Sequence, residues 1–157
     1  SRWDVASSQY MSSEIGAIFV YGTLRSSTKW HREFGQCFSA LLGPATMPGK
    51  LYHLMDGWPI LVKGHDGVVC GEVFTLQDES SLAVLDAYEG YELDAAPDDC
   101  FIARAATEVI LSGGEVTRVW FYHAPPALAH FAEQTGILVE GGDWLNWATA
   151  NLSDWRP

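Results

Sequence analysis

Short runs of β-branched and aromatic residues, each closed by glycine, proline or aspartate, dominate this chain and constrain what it can fold into. Strand-like stretches fall at 51–55, 60–62, 68–76, 101–111 and 116–123, after an opening run at 18–21. Only one clear helical pattern, near 78–89, interrupts them. Ser112-Gly113-Gly114-Glu115 between two such runs is a hairpin signal, so part of the sheet is expected to be antiparallel. The sum is a mixed, β-rich α+β domain. Stretch 26–38 reads as a polar loop leading into a short helix, with Trp30 and Phe34 four apart as packing residues. At the other end, Asp143 is placed to cap a helix carrying Trp144 and Trp147, which either lies on the sheet or supplies an aromatic lid.

Size and charge narrow the function classes. The 157 residues are 48% hydrophobic and 13% aromatic, which suits one compact domain spanning 1–157 with 1–14 as a tail. Met11 is a candidate first residue of the natural chain. A net charge of −11 with only nine scattered Lys and Arg argues against nucleic-acid and anionic-membrane partners, which require basic patches. No apolar run approaches the roughly 20 residues needed to span a bilayer. The three cysteines, Cys37, Cys70 and Cys100, are sparse and odd in number, which fits a reducing, cytoplasmic setting. Asn151-Leu152-Ser153 matches a glycosylation acceptor by chance, since no export signal is evident. The sequence leaves the oligomeric state undetermined.

Two segments carry chemistry. In Ala17-Ile18-Phe19-Val20-Tyr21-Gly22-Thr23-Leu24-Arg25 an apolar strand ends abruptly in a small-residue turn, and successive backbone N–H groups after such a turn can cradle a carboxylate or oxyanion. Gly22 is expected where a side chain would obstruct a ligand. The second segment, Leu85-Asp86-Ala87-Tyr88-Glu89-Gly90, ends the helical pattern, with Asp78 suited to start it and Gly90 to stop it. At about 100° per residue, Leu82, Leu85 and Glu89 share one stripe, so Glu89 is expected to point inward with the leucines. Desolvation and the negative end of the helix dipole both raise a carboxyl pKa, the requirement for a general acid/base near neutrality. The plainer alternative is that Glu89 bonds to a buried backbone group or to Arg25 or Arg104.

Tyr-Gly-Thr-Leu-Arg followed some sixty residues later by Leu-Asp-Ala-Tyr-Glu-Gly resembles the gamma-glutamylcyclotransferase-like, or AIG2-like, family. Between them, Gly49-Lys50-Leu51-Tyr52-His53-Leu54, Gly57-Trp58-Pro59-Ile60-Leu61-Val62 and Val69-Cys70-Gly71-Glu72-Val73-Phe74 are similar to intervening strands and a glycine-aromatic-proline turn of that family. Val119-Trp120-Phe121-Tyr122 is similar to a later strand ending in tyrosine, and Gly141-Gly142-Asp143-Trp144 to the tail of many bacterial members. The resemblance implies a small mixed barrel-like sheet with a few peripheral helices. It also implies a cofactor-independent enzyme acting on a gamma-glutamyl amide, releasing 5-oxoproline and an amine. It points to Glu89 as the catalytic acid/base and to the backbone of Tyr21, Gly22, Thr23 and Leu24 as the substrate cradle. Tyr122 and Arg25 are weaker binding-site candidates. Members often carry Tyr-x-Arg or Tyr-Arg-Arg soon after the Glu-Gly turn, whereas this chain has Cys100-Phe101-Ile102-Ala103-Arg104, without the tyrosine. An acidic piece at 92–99 is either a solvated loop or a feature favouring a cationic leaving amine, such as a polyamine or aminoglycoside-like group on a tagged metabolite. A non-catalytic module holding a small metabolite in the same pocket is the alternative of a different class.

Other chemistry lacks its signatures. The five histidines show no metal-site spacing with cysteine or carboxylate, so no metal is expected. There is no nucleophile elbow and no phosphate loop. Cys37 with His31 is a conceivable nucleophile pair, but no orienting carboxamide accompanies it. Glu72, which alternates with Val68, Cys70 and Phe74 on one strand face, is the rival to Glu89 as a buried acid.

Overall fold

The computed structural model describes residues 15–96 and 99–157. The expected tail at 1–14 therefore lies outside the described residues. Eight strands and four α-helices follow in the order β1 (Ala17–Val20), α1 (Lys29–Glu33), β2 (Phe38–Pro48), β3 (Lys50–His53), β4 (Pro59–Val62), β5 (Val68–Leu76), α2 (Glu79–Glu89), β6 (Ala103–Leu111), β7 (Val116–His123), α3 (Pro126–Thr135), β8 (Ile137–Leu138) and α4 (Trp144–Asn151). Five strands close a barrel in the order β1-β5-β2-β6-β7, and β4-β3-β8 form a separate three-stranded sheet. The barrel is antiparallel apart from the β1–β7 seam, where Ile18 lies parallel to Trp120. The Ser112–Glu115 turn joins β6 to β7 as an antiparallel hairpin, as its glycines suggest.

Period-two alternation divides the apolar residues into two clusters. One takes Phe19, Val73, Met47, Val109 and Val119 from all five barrel strands and fills the barrel interior. The other takes Ile18, Val20, Phe74 and Tyr122 from the opposite faces and covers them with Leu82 and Leu85 of α2. These two leucines are fully buried, each contributing about 1.5–3 kcal/mol, and so fix α2 against the outer wall of β1 and β5.

Three elements depart from the sequence reading, the two-residue β8 and two longer ones. The longest strand, β2, covers a stretch that the sequence reading left unassigned beyond Phe38. It contains Gly43 and Pro44, shifts register twice against β5, and buries only Ala45 and Met47, so no alternation is visible along most of it. A further helix, α3, follows β7 directly. Among its residues only Ala132 is fully buried, which leaves a weak apolar stripe, although Pro126 at its start was an available signal. The expected C-terminal helix forms as α4, with Asp143 accepting from Asn146 N–H at 3.2 Å. Trp144 joins the barrel-interior cluster and donates its indole N–H to His53 Nδ1 at 3.1 Å.

Candidate active site

The first strand delivers the chain to its turn with little freedom. Tyr21 is buried, and its hydroxyl donates to the Tyr122 carbonyl at 2.9 Å while accepting from Leu61 N–H at 3.3 Å, tying β1 to β7 and β4. Burial and the nearby Glu89 charge push this phenol upward, so it stays protonated. The turn itself closes through Arg25 N–H and the Gly22 carbonyl at 3.1 Å, a bond that leaves the N–H groups of Gly22, Thr23 and Leu24 out of it. Thr28 braces the far side: its hydroxyl donates to the Thr23 carbonyl at 2.5 Å and caps α1 by accepting from His31 N–H. His31 Nδ1 donates to the Leu24 carbonyl at 2.7 Å. A side chain at Gly22 would meet Pro59 Cγ at 2.7 Å, so packing against β4 already calls for glycine at this cleft-lining position.

Opposite elements complete a cleft of about 390 Å³. Its walls are the Tyr21–Leu24 turn, the Gly57–Ile60 segment, Tyr88 and Glu89 at the end of α2, Phe101 with Ile102, Tyr122, Trp30 and Asp56. The helix starts and stops where its sequence indicates: Asp78 accepts from Ser81 N–H at 2.9 Å, and Gly90 adopts a left-handed φ of 79°. With Leu82 and Leu85 packed inward, the same stripe carries the half-buried Glu89 into the cleft wall. Its carboxyl is raised from 4.5 to about 7, first by burial and then by the negative charge of Asp86.

Asp86 itself is held by its neighbours. Tyr122 donates its hydroxyl to Asp86 at 2.7 Å, and Arg104 Nε lies 2.9 Å from the same oxygen. The Arg104 guanidinium stacks over Trp120 at 4.3 Å and Tyr91 at 5.0 Å. Burial raises the Asp86 carboxyl, opposed by Arg104 and Tyr122, and burial together with Asp86 drives the Tyr122 phenol well up. Tyr122 is thus a neutral donor that both lines the cleft and steadies the carboxylate beneath Glu89.

The arginine pairings offered as the plainer alternative for Glu89 are not what forms. Arg104 pairs with Asp86, while Arg25 bridges Glu72 at 3.2 Å and Asp143 at 2.9 Å. Arg25 lies outside the cleft lining, apart from Tyr21, Gly22, Thr23, Leu24, Glu89 and Tyr122, which the fold does bring together. Glu72, the rival acid, sits on the outer barrel face, where Arg25 and the backbone and hydroxyl of Ser26 saturate it. Cys37 is a buried thiol pushed upward by burial, and His31 is spent on Leu24 and stacked on Phe38, which removes that nucleophile pair. Neither the C-terminal tryptophans nor the described part of the acidic 92–99 piece lines the cleft. Sequence reasoning missed Asp86, although Leu82, Leu85, Asp86 and Glu89 form an i, i+3, i+4, i+7 set, the signature of one buried stripe. Among the described residues no group of three or more His, Cys, Asp or Glu side chains is placed to hold a metal ion, and no helix is long and apolar enough to cross a membrane.

The first strand of the barrel thus ends in a backbone turn that shares one cleft with a carboxyl raised to about 7. The family described as "Gamma-glutamyl cyclotransferase, AIG2-like" matches residues 18–146, and the chain belongs to that family. Among solved structures it is similar to YkqA from Bacillus subtilis, at 22% identity over 88% of this chain and 43% of that one, with a TM-score of 0.64. It is also similar to an AIG2-like protein from Mus musculus, at 25% identity over 70% of this chain and 77% of that one, with a TM-score of 0.56. A structure titled gamma-glutamyl cyclotransferase aligns at 15% identity over 69% and 65% of the two chains, with a TM-score of 0.52. The chain thus spans less than half of the YkqA chain it resembles in fold. No curated protein sequence matches it significantly.

Proposed function

We propose that this protein is a cofactor-independent gamma-glutamyl cyclotransferase, with Glu89 as its general acid/base. The observation that carries the reading is the Glu89 carboxyl, raised to about 7, in the same cleft as the Tyr21–Leu24 turn. In the reaction, the α-amine of a gamma-glutamyl amide attacks its own γ-carbonyl carbon and forms the ring C–N bond. The ammonium proton passes to the Glu89 carboxylate. Glu89 returns a proton to the amide nitrogen as the original C–N bond breaks, giving 5-oxoproline and a free amine. One group near neutrality can serve both transfers because it holds and releases a proton with little driving force either way.

Backbone N–H groups of Gly22, Thr23 and Leu24 hold the glutamyl carboxylate or the oxyanion of the tetrahedral intermediate. Folding the flexible glutamyl chain into ring-closing geometry between the turn and the aromatic walls supplies much of the acceleration. Tyr122 contributes by fixing Asp86, whose charge keeps Glu89 protonatable. Arg25 acts at a distance, holding the base of the turn through Glu72 and Asp143. Incubation with a series of gamma-glutamyl amides should release 5-oxoproline in wild type and not in Glu89→Gln. Binding of those amides without 5-oxoproline formation would instead identify a non-catalytic metabolite-binding module.

A further inference from the structure

A second cavity, of about 460 Å³, opens between the β3–β4 turn, the approach to β6 and helix α3. It shares Asp56, Trp58 and Phe101 with the Glu89 cleft, so the two cavities adjoin, with Trp58 and Phe101, edge to face at 5.7 Å, at their common wall. Its other walls include Leu54, Met55, Leu128 and Phe131, and among the described residues Asp56 at the junction is its one charged side chain. Among the described residues no Lys, Arg or His lines either cavity.

We infer that this second cavity receives the amine half of the substrate, and that the amine it accepts is apolar and carries no carboxylate. The inference rests on the proposed reaction for which half of the molecule lies where. In the proposed reaction the glutamyl half occupies the Tyr21–Leu24 turn and Glu89. Its γ-amide nitrogen therefore leads the second half past Asp56 into the apolar end. A void of roughly 150 Å³ suffices for a benzene ring, so the space accommodates an aryl or branched alkyl group. A leaving amino acid or peptide would bring a second carboxylate beside Asp56 and against apolar walls that, among the described residues, offer it no cation, a repulsion without compensation. An amine lacking that group meets the opposite situation, because the ammonium product emerges beside Asp56. Among the described residues the apolar end equally gives a polycationic leaving group no partner beyond that carboxylate, and the described part of the acidic 92–99 stretch does not line it.

The test compares three gamma-glutamyl compounds: the phenethylamide, phenylalanine linked through its α-amine, which differs from it only by a carboxylate, and the ethylamide, which lacks the ring. Turnover is read as 5-oxoproline formation by wild type, and affinity by calorimetry on Glu89→Gln. The phenethylamide should exceed both others by about tenfold or more in kcat/KM and in affinity, the discrimination a shaped apolar pocket typically gives. Phe131→Asp, a change at a half-exposed position that the fold tolerates, should raise KM for the phenethylamide and bring its preference over the ethylamide close to unity. Equal or better turnover of the phenylalanine compound would overturn the inference while leaving the cyclotransferase reading intact. Absence of 5-oxoproline from all three, with the affinity order preserved, would remove the reaction and leave the subsite standing. Loss of the affinity order would remove the subsite.

Discussion

Replacing Glu89 by glutamine should make the protein inactive and, at neutral and alkaline pH, more stable. The carboxyl is raised from 4.5 to about 7 because it is buried beside Asp86. Between those two values the native state binds a proton that the unfolded chain has released, so stability falls as pH rises through the window. The full displacement corresponds to about 3 kcal/mol, a ceiling because water reaching the carboxyl through the cleft screens part of it. Below pH 4.5 both side chains are neutral and near in shape, so wild type and variant should unfold alike. Above pH 8 the glutamine variant should be more stable by about 2–3 kcal/mol, or about 4–12 °C in Tm for a chain of this size. Urea titrations at a series of pH values give the difference, since groups remote from Glu89 titrate alike in both proteins and cancel. Turnover should fall by orders of magnitude at every pH. A stability difference flat across that window, or near-normal turnover in the variant, would refute the account of how this site is built.

The same geometry fixes other outcomes. Asp86→Asn should shift the acidic limb of kcat/KM to lower pH, because Asp86 charge raises Glu89, and should lower stability in chemical denaturation by removing the carboxylate that pairs with Arg104 Nε. In Gly22→Ala the new methyl would meet Pro59 Cγ at 2.7 Å, so a loss of about 1–3 kcal/mol is expected by thermal unfolding, together with a raised KM as the turn moves off β4. Arg25→Ala should destabilise by about 3 kcal/mol by stranding Glu72, and the double variant Arg25→Met with Glu72→Leu should recover most of that loss in urea unfolding, as expected of a structural ion pair.

Much of this arrangement is legible in the sequence where local chemistry and tertiary packing agree. Helix α2 is an example: Asp78, Gly90 and the leucine stripe each indicate the same boundaries and the same buried face. Strands β5 and β7 are likewise legible, because their β-branched and aromatic residues serve a cluster on each face, Val73 and Val119 inside the barrel and Phe74 and Tyr122 outside it. What the sequence conceals depends on contacts distant along the chain. Strand β2 owes its existence to pairing with β5 across two register shifts, and its exposed, glycine- and proline-bearing residues give no periodic sign of it. The separation of Glu72 from Glu89 is of the same kind. Both lie on strand or helix faces with apolar neighbours, and only the fold shows that Arg25 and Ser26 reach one and nothing comparable reaches the other.

That contrast bears on which of two half-hidden glutamates suits the proposed chemistry. Glu72 accepts from Arg25 and from Ser26 twice, charge-assisted bonds that tie the turn to β5. Glu89 ends a helix, where the backbone dipole is unfavourable to a negative charge, and its nearest ionised neighbour is another carboxylate. Asp86 can keep its charge there only because Arg104 and Tyr122 stabilise it from behind. The arginine that might have neutralised Glu89 is therefore committed one helical turn away, and this commitment leaves the cleft carboxyl raised to about 7, as the proposed proton transfers to and from an amine require.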